Sequence, residues 1–415
     1  ADRLLVTIGS SSTTYGSSLS FAPSSAVYYS SAQQALVTLS LANTGGNNWS
    51  ASESGTLAAT FILGPSSSSL STGGYLNVGT YSIGATASNK ISSNVTALVF
   101  SAGQGNVVAK PVTASVPSYS RVYDGTTAAT GASVVLSGAE LNDLVSVSTS
   151  GIAFASKAAG NNVVLTASGL ALTGADAGNY RLTNLDPSGL ATATGTGAIQ
   201  AKALSISASG TNKVYDGTRS ASVSLYSNDV VNGDSVTFAM SLAQFATKNV
   251  GAAQNVSVTG LALSGSDAGN YALQNTSATT NADITAKTIT ASFVAANKIY
   301  DGTVTAAATG SSTGIVANDN VIVSATGAVF ADRNVGQGKT VAVSGIALSG
   351  TDAANYLLSS TSANTTANIN AKPLNVTVSA ADKIYDGQNS TSATAASSDI
   401  FGSDAVVISF GAANF

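Results

Sequence analysis

The sequence predicts an all-β protein assembled from similar modules in tandem. Three observations support this prediction. The chain is rich in Ser, Thr, Val, Asn and Gly, of which Thr and Val favour strands while Asn and Gly supply turns. Large apolar residues alternate with small or polar ones in short runs, as they do in half-buried strands. A motif that contains Tyr-Asp-Gly returns at nearly constant spacing, which is typical of a repeat protein.

Composition limits both the fold and the function. Charged residues make up only 9% of the 415 residues, but 44% are hydrophobic, so the composition is not that of a disordered chain. The absence of Cys and His from the sequence excludes disulfides, zinc or haem ligation and His-dependent nucleophiles. The net charge of −4 argues against nucleic-acid binding, and no apolar run approaches the roughly 20 residues of a membrane span. We therefore predict no cofactor, no nucleic-acid partner and no membrane span in this segment.

The clearest repeat contains a basic residue, then Val or Ile, then Tyr-Asp-Gly. The tyrosines of this motif, here called the landmark tyrosines, are separated by 92, 85 and 85 residues, and a lysine stands 13 residues before each of them. Such regular spacing indicates duplicated modules. The four copies are Tyr123-Asp124-Gly125, Tyr215-Asp216-Gly217, Tyr300-Asp301-Gly302 and Tyr385-Asp386-Gly387, and the lysines are Lys110, Lys202, Lys287 and Lys372.

A second motif, Asp-Ala-(Gly/Ala)-Asn-Tyr, follows each of the first three landmarks. Its last residue, here called the corner tyrosine, lies 57, 56 and 56 residues after the preceding landmark tyrosine. The first repeat is longer because of an insertion around residues 186–189, which we expect to form a surface loop. The Asp and Tyr of the three copies are Asp176 and Tyr180, Asp267 and Tyr271, and Asp352 and Tyr356.

The two motifs divide the chain into five modules. Residues 1–109 form a divergent N-terminal module, and the fourth repeat is expected to stop within a module at Phe415. Because Met240 is the only methionine, we also expect sequence upstream of Ala1. The repeats comprise residues 110–201, 202–286, 287–371 and, for the truncated copy, 372–415.

The second motif resembles the tyrosine corner of immunoglobulin-type sandwiches, where a Tyr near the start of a strand bonds to upstream backbone. Residues 267–273 have the form Asp-x-Gly-x-Tyr-x-apolar, and residues 77–83 contain a variant of it. In the first motif, Asp-Gly between apolar runs favours a hairpin turn, because Gly accepts positive φ and Asp tolerates it. The predicted fold is an elongated tandem array of Ig-like antiparallel β-sandwich modules, in which the repeated Tyr and Asp have structural roles.

Other roles for the repeated acidic residues find less support. Calcium is held by six to eight oxygens, usually from several carboxylates, and only residues 318–320 (Asn-Asp-Asn) look locally suitable. A glycosidase needs two close acids, but Glu53 and Glu140 are the only glutamates. A Lys–Asn isopeptide bond would lack a repeated Glu beside it. We therefore predict no catalytic residue and no metal site, and hence no enzyme. Several Asn-x-Ser/Thr sequons leave glycosylation open.

The landmark series resembles the YDG repeat, and residues 1–109 resemble the related MBG (mostly-β, glycine-rich) domain through residues 14–16 and 77–81. Such modules occur in tandem in filamentous-haemagglutinin-like bacterial adhesins exported by two-partner secretion, and in biofilm-matrix proteins. The resemblance implies a secreted or cell-surface location, an outer-membrane transporter for export, and no catalytic residues.

Adjacent modules follow one another without a Gly/Ser-rich or Pro-rich linker, which predicts short hinges. We therefore interpret the chain as a structural stalk segment of an adhesin that mediates cell–cell, surface or biofilm-matrix adhesion. An extracellular polysaccharide or a molecule on a host or neighbouring cell is its expected ligand. Two alternatives stay open: the modules bind carbohydrate, or they self-assemble into a filament or surface layer. For carbohydrate, the candidate ligand face consists of Trp49, Tyr28, Tyr29 and Tyr75.

Overall fold

The computed structural model describes residues 2–402 and 404–415. The prediction of an all-β protein is confirmed, since these residues form strands, turns and three one-turn 3-10 helices, with no α-helix among them. Within the same residues, no helix has the length and apolar character needed to cross a membrane. The chain divides into two compact units. The first comprises Ala1–Leu204, Asp229–Val236 and Gly265–Ala272, and the second comprises Ser205–Asn228, Thr237–Ser264 and Leu273–Phe415.

The N-terminal module lies in the first unit and is built from ten strands. They are β1 (Asp2–Ile8), β2 (Ser11–Thr14), β3 (Pro23–Ser30), β4 (Ala35–Thr38), β5 (Ser40–Gly45), β6 (Asn48–Glu53), β7 (Thr56–Pro65), β8 (Gly79–Lys90), β9 (Val95–Ser101) and β10 (Gly103–Val108). One sheet has the order β4-β3-β1-β9 and the other β2-β10-β8-β7-β6-β5. Alternate residues of these strands, such as Leu4, Val6, Phe61 and Leu63, are buried in one core.

Repeat 1 also lies in the first unit. Its strands are β11 (Lys110–Ser115), β12 (Tyr119–Val122), β13 (Val135–Ser137), β14 (Ser146–Ser148), β15 (Gly151–Phe154), β16 (Gly160–Ser168), β17 (Ala171–Thr173), β18 (Tyr180–Leu182) and β19 (Ala193–Gln200). The largest sheet has the order β12-β19-β16-β15, a second has the order β13-β11-β18, and β14 pairs with β17. The second sequence motif forms a single 3-10 turn, Ala177–Asn179, that leads directly into β18.

Repeat 2 is divided between the two units. Its strands are β20 (Lys202–Leu204), β21 (Ser207–Thr211), β22 (Lys213–Val214), β23 (Ser222–Tyr226), β24 (Thr237–Ala239), β25 (Leu242–Phe245), β26 (Gly251–Thr259), β27 (Ala262–Ser264), β28 (Tyr271–Leu273) and β29 (Ser277–Thr285). The four-stranded sheet β22-β29-β26-β25 belongs to the second unit. The loops 229–236 and 265–272 belong to the first unit.

Repeat 3 and the fourth repeat lie in the second unit. Repeat 3 consists of β30 (Lys287–Ile289), β31 (Ser292–Ala295), β32 (Lys298–Ile299), β33 (Ala308–Ser311), β34 (Ile322–Phe330), β35 (Gly336–Ser349), β36 (Tyr356–Leu358) and β37 (Ser362–Asn370). The fourth repeat contains β38 (Thr377–Ala380), β39 (Ser390–Thr391), β40 (Ala393–Ala396) and β41 (Ala413–Asn414). The sheet β32-β37-β35-β34 of repeat 3 has the same arrangement as the largest sheets of repeats 1 and 2.

Some strand pairs are parallel, a feature that the expectation of antiparallel modules did not include. In repeat 1, β11 runs parallel to β18 and β12 runs parallel to β19. Repeat 3 contains the corresponding pairs β30 with β36 and β32 with β37. Parallel neighbours need a long connection, and the strands between them in the same module supply it. The other pairs of the large sheets, such as β16 with β19, are antiparallel.

The alternating apolar segments form buried strands, as the sequence predicts. In repeat 2, Phe245 of β25 and Val256 and Val258 of β26 are fully buried. Gly260, which follows β26, has a φ of +70°, and a Cβ there would lie 2.2 Å from Ser241 Oγ. Glycine is therefore required at this turn, both for its backbone conformation and for space.

The insertion in repeat 1 lies at the surface, as predicted. Asp186 Oδ1 accepts hydrogen bonds from the backbone N–H groups of Ser188 and Leu190, both at 2.9 Å. Leu185 pairs with Ala191 across the base of this loop. The extra residues are thus accommodated in a self-contained turn that leaves the neighbouring strands of the sandwich in place.

Candidate functional site at the module junctions

The landmark tyrosine of repeat 1 contacts the following repeat. The Tyr123 hydroxyl donates to both oxygens of Asp234, at 3.0 Å and 2.8 Å, on a loop of repeat 2. Tyr271, the corner tyrosine of repeat 2, donates to Oδ2 of the same carboxylate at 2.6 Å. The Asp234 side chain is only 2% exposed. One buried carboxylate therefore accepts hydrogen bonds from tyrosines of two modules.

The same arrangement joins repeats 2 and 3. The Tyr215 hydroxyl donates to Asp319 Oδ2 at 2.8 Å, and the Tyr356 hydroxyl donates to the same atom at 2.6 Å. The two rings pack edge to face with centroids 5.5 Å apart and an interplanar angle of 74°, which is a favourable aromatic geometry. In the previous junction the corresponding distance is 5.6 Å with the same angle. We call these two carboxylates and their counterparts in the first and last junctions the junction aspartates: Asp143, Asp234, Asp319 and Asp404.

A basic side chain completes the junction between repeats 2 and 3. Lys248 Nζ lies 2.9 Å from Asp319 Oδ1 and 3.3 Å from Asp352 Oδ1. In the junction between repeats 1 and 2, Lys157 lies 3.4 Å and 3.8 Å from the corresponding carboxylates. Both lysines are more than one third exposed, so solvent weakens their pairing with the carboxylates.

The asparagine of the second motif bonds to backbone of the preceding module. Asn355 Oδ1 accepts the backbone N–H of Val250 at 2.9 Å, and Asn270 Oδ1 accepts that of Ala159 at 2.8 Å. Both asparagines are buried. Each buried amide thus pairs with a polar group of the neighbouring module, which fixes the alignment of the two modules.

The glycine of Tyr-Asp-Gly allows the modules to approach closely. Gly217 has a φ of +80°, and a Cβ there would lie 2.7 Å from Val316 Cγ1 of repeat 3. Gly125 has a φ of +82° and the same relation to Val231, at 2.8 Å. Any other residue at these positions would both strain the backbone and push the neighbouring loop away.

The first junction, between the N-terminal module and repeat 1, has a different charge. Tyr15 and Tyr180 both donate to Asp143 Oδ2, and their rings lie 5.2 Å apart. Leu76 occupies the sequence position that Lys248 holds in repeat 2. Neutral groups donate to Asp143 Oδ1 instead: the Ser71 hydroxyl and the Gly73 N–H, each at 3.0 Å.

The last junction contains a phenylalanine beside its single tyrosine. The Tyr300 hydroxyl donates to both oxygens of Asp404, at 2.7 Å and 2.8 Å, and Arg333 lies 3.3 Å from the same carboxylate. The ring beside Tyr300 is that of Phe401, with centroids 5.8 Å apart. The fourth landmark tyrosine, Tyr385, is 93% exposed.

The Asp of Tyr-Asp-Gly has a local role. Asp216 Oδ1 accepts the backbone N–H of Thr218 at 2.8 Å and binds Lys213 Nζ at the same distance. The same ammonium also bonds to the carbonyl oxygens of Thr218 and Ser220. The prediction of a turn is confirmed, but the prediction of a hairpin is wrong, because β22 pairs with β29 rather than with the next strand. The Asp and Lys side chains stabilise a turn that does not need a hairpin partner.

The tyrosine-corner interpretation fits the N-terminal module, and in the repeats the bond to upstream backbone is also present but spans 40 residues and is accompanied by a bond to a carboxylate. The Tyr81 hydroxyl donates to the carbonyl of Asn77, four residues upstream, at 2.7 Å. In repeat 1, the Tyr180 hydroxyl accepts the Glu140 N–H, 40 residues upstream, and donates to Asp143. The 3-10 turn before Tyr180 brings the hydroxyl to a carboxylate, which is a stronger acceptor than a backbone carbonyl.

The four aromatics of the predicted ligand face do not come together. Tyr28 is buried and donates to Glu53, whereas its neighbour Tyr29 is 52% exposed, because successive residues of β3 point to opposite faces. Tyr75 packs against Tyr15 near the first junction. Trp49 lies on the other sheet and donates its indole N–H to the Phe21 carbonyl at 3.0 Å.

Burial and hydrogen bonding shift the pKa values of the groups at the junction of repeats 2 and 3. Burial, and then the hydrogen bond to Asp319, raise the pKa of Tyr356 to about 12. Burial alone would raise the pKa of Asp319, but hydrogen bonds from Tyr356, Lys248 and Tyr215 lower it below its ordinary value. The hydrogen bond to Asp319 is the main cause that raises the pKa of Lys248. At neutral pH Asp319 is therefore an anion that accepts hydrogen bonds from neutral phenols.

The junction aspartates were the functional residues that sequence reasoning missed. Asp319 entered only as a weak calcium ligand, but its oxygens are engaged by two phenols and an ammonium. In the described part of the chain, no cluster of three or more His, Cys, Asp or Glu is arranged to hold a metal. Constant spacing was an available signal, since each junction aspartate with a corner tyrosine precedes it by 37 residues.

Comparison of the sequence with known protein families finds a match over most of the repeats. The model of the YDG domain family matches residues 108–187, 200–280 and 285–364, which together make up more than half of the chain. No curated protein matches the sequence.

The solved structures to which this chain is similar have low sequence identity and low TM-scores. The extracellular domain of protocadherin GammaB4 is 10% identical with a TM-score of 0.26, covering 95% of this chain and 74% of that one. Drosophila N-cadherin EC1-4 is 10% identical with a TM-score of 0.22, covering 78% of this chain and 94% of that one. The immunoglobulin domains 1-5 of Sidekick-1 are 9% identical with a TM-score of 0.21, covering 88% and 81%. Scores this low carry no argument about function.

Proposed function

Since the chain belongs to the YDG domain family, we propose that it is a non-catalytic spacer of a large secreted or cell-surface bacterial adhesin. In this role the repeats connect a cell to a ligand-binding part located elsewhere in the adhesin. The observation that carries the proposal is the junction itself: tyrosines of two consecutive modules share one buried carboxylate, in the first unit and again in the second.

A spacer must transmit force and orientation from one module to the next. The buried carboxylate, the asparagine–backbone bond and the close glycine contact all join neighbouring modules, and none of them uses a flexible linker. The junction side chains are therefore committed to each other and are not available to bind a ligand. This use of the repeated side chains favours a spacer role over a role in which each module binds ligand.

The wider setting of the proposal is extracellular. A chain without Cys and with few charged residues is suited to passing a membrane unfolded and folding outside the cell. We include in the proposal export by two-partner secretion through an outer-membrane transporter, and a role in cell–cell, surface or biofilm-matrix attachment. The ligand would be an extracellular polysaccharide or a molecule on a neighbouring or host cell.

Deletion and competition experiments test the spacer role together. Cells that carry the adhesin without residues 110–371 are expected to attach less well, because the binding part is held too close to the cell. Purified 415-residue chain added in solution is expected not to compete with attachment of wild-type cells. Competition by the purified chain would contradict the proposal, since it would show that these modules bind the ligand themselves.

One cleft favours carbohydrate binding as a second candidate function. Beside Trp49 on the larger sheet of the N-terminal module lies an open cleft of about 400 Å³. Its polar lining includes Asn48, Thr60 and Asn89, whose amide and hydroxyl groups suit a sugar, while Trp49 offers an apolar surface. This cleft differs from the predicted aromatic face, of which it retains only Trp49.

A glycan array probed with the whole chain tests the second candidate. Specific binding should be lost in Trp49→Ala and weakened in Asn89→Ala. Tyr29→Ala is the matched control, because Tyr29 is exposed on the other sheet and does not line the cleft. Binding that survives both cleft substitutions, or no binding at all, would remove this candidate.

A further inference from the structure

Three junctions hold two tyrosines in direct contact across a module boundary. The pairs are Tyr15 with Tyr180, Tyr123 with Tyr271, and Tyr215 with Tyr356, with ring centroids 5.2 Å, 5.6 Å and 5.5 Å apart. In each pair both hydroxyls donate to the same carboxylate, that of Asp143, Asp234 or Asp319. The pairing of two phenols on one base is therefore a chemical arrangement as well as a structural one.

The shared carboxylate favours oxidation of the phenols. Loss of one electron makes a phenol hydroxyl strongly acidic, so oxidation becomes easier when a base at hydrogen-bond distance takes the proton. Asp319 provides such a base at 2.8 Å from one hydroxyl and 2.6 Å from the other. Asp234 provides it for the preceding pair, at 2.8 Å and 2.6 Å.

The geometry also favours coupling of the two rings. Phenoxyl radicals join through the carbons that flank the C–O bond. Because the hydroxyl oxygens of Tyr215 and Tyr356 lie 2.8 Å and 2.6 Å from the same carboxylate oxygen, the carbons beside the two C–O bonds are held in the same region. Both rings are more than nine-tenths buried, so collision with tyrosines of another chain is hindered.

We propose that the paired tyrosines are sites of dityrosine formation, which links consecutive modules covalently when the protein meets a one-electron oxidant such as a peroxidase intermediate. Each tyrosine gives one electron to the oxidant and one proton, through the aspartate, to solvent. A carbon–carbon bond then forms between the two rings, and the two ring hydrogens at the new bond move to the oxygens as aromaticity returns. The product has two hydrogens fewer than the separate tyrosines, and both electrons reside on the reduced oxidant.

Photochemical oxidation of the whole chain tests this inference. Illumination of tris(bipyridine)ruthenium(II) with persulfate supplies the one-electron oxidant, and tryptic digestion with mass spectrometry locates the product. The expected species joins residues 214–219, which contain Tyr215, to residues 340–383, which contain Tyr356, with a mass two hydrogens below their sum. A second expected species joins residues 122–157, containing Tyr123, to residues 249–287, containing Tyr271. Both should form with yields independent of protein concentration.

Substitutions test whether the linkage depends on the paired tyrosines and their common aspartate, or arises from non-specific oxidation. Tyr215→Phe should abolish the first linkage and leave the second unchanged, so each junction is the control for the other. Asp319→Asn should reduce the first linkage several-fold and remove its dependence on pH, as expected when the proton acceptor is lost. Hydrogen exchange of the Val250 N–H in the same variant reports whether the junction remains closed.

Oxidation confined to the exposed tyrosines would overturn the inference. Tyr29, Tyr226 and Tyr385 are about half or more exposed and are the tyrosines most accessible to other chains. If oxidation joins only these residues, with a yield that rises with protein concentration, the paired tyrosines are not coupling sites. Such a result would leave the proposed spacer role untouched, because that role depends on the hydrogen bonds alone.

Discussion

The first junction and the junction between repeats 2 and 3 differ in the charge around the same carboxylate. In both, tyrosines of two modules donate to one aspartate, Asp143 in the first case and Asp319 in the other. Lys248 balances Asp319, whereas Asp143 is held by neutral donors, namely a serine hydroxyl and a backbone N–H. The carboxylate with its two phenols is therefore common to both junctions, whereas the cation of one is replaced by neutral donors in the other.

This difference separates two contributions to the stability of a junction. Hydrogen bonds to a buried anion do not depend strongly on salt, but an ion pair with a partly exposed lysine does. The two junctions should thus respond alike to loss of the carboxylate and differently to salt. Four experiments test this comparison, beginning with the largest expected effect.

Removing the acceptor should have the largest effect. Asp319→Asn places an amide N–H₂ group against phenol donors in a site that is 2% exposed, and we expect it to cost about 3 kcal/mol of local stability. The measurement is the free energy of local opening from hydrogen exchange of the Val250 N–H, which crosses this junction. Asp382→Asn, at an exposed position, is the control. Unchanged exchange in Asp319→Asn would mean that the carboxylate does not hold the junction.

The second largest loss of stability is expected when the glycine of Tyr-Asp-Gly is replaced by alanine. Gly217→Ala combines a positive φ with a contact to Val316, and we expect it to cost about 2–3 kcal/mol. Gly387→Ala has nearly the same φ, +75°, but no atom within 4 Å, so it should cost only about 1 kcal/mol for backbone strain. Thermal unfolding of the two variants measures the difference. Equal losses would show that the glycine serves the turn and not the approach of the modules.

The junctions should weaken at both ends of the pH scale. Tyr356 has a pKa raised to about 12, so its contribution is complete below the ordinary value of 10.0 and is lost as pH rises through 12. Asp319 has a lowered pKa, so its contribution is present above the ordinary value of 3.8 and is lost as pH falls through the lower folded value. Urea denaturation across this pH range should show the free energy of unfolding falling at both the acid and the alkaline end. In Tyr356→Phe the free energy of unfolding should fall less at alkaline pH. An unchanged alkaline fall would mean that other groups cause it.

Removing the cation should have the smallest effect. Lys248→Met should lower the stability only slightly at low salt and even less at high salt, because the lysine is 38% exposed and solvent screens its charge. Leu76→Met at the corresponding position of the first junction is the matched control and should be insensitive to salt. A large, salt-independent loss in Lys248→Met would show instead that the cation is essential to this junction.

The sequence predicted the fold more fully than it predicted the junctions. Alternation of apolar residues identified strands such as β26, because burial on one face imposes a period of two. Aspartate next to glycine identified a turn, because that chemistry is local. The parallel pairs β11 with β18 and β12 with β19 were not predicted, since they join strands far apart in the chain.

The junctions depend on contacts between residues that are distant in sequence. Tyr215 and Asp319 are 104 residues apart, so no local pattern relates them. The repeat itself contained the information, because the separation of Tyr300 and Asp404 is also 104. Residues that recur at a fixed offset but look unsuited to catalysis or metal binding are thus candidates for contacts between modules.

The shared carboxylate also has a consequence for how such a chain can change during evolution. Each complete repeat presents a tyrosine at one end and an aspartate with a tyrosine at the other, so the exit surface of one repeat fits the entry surface of the next. A recombination event that inserts or removes one whole repeat therefore creates no new interface and leaves no unmatched one. The number of modules can therefore vary in steps of one without any compensating substitution at the junctions.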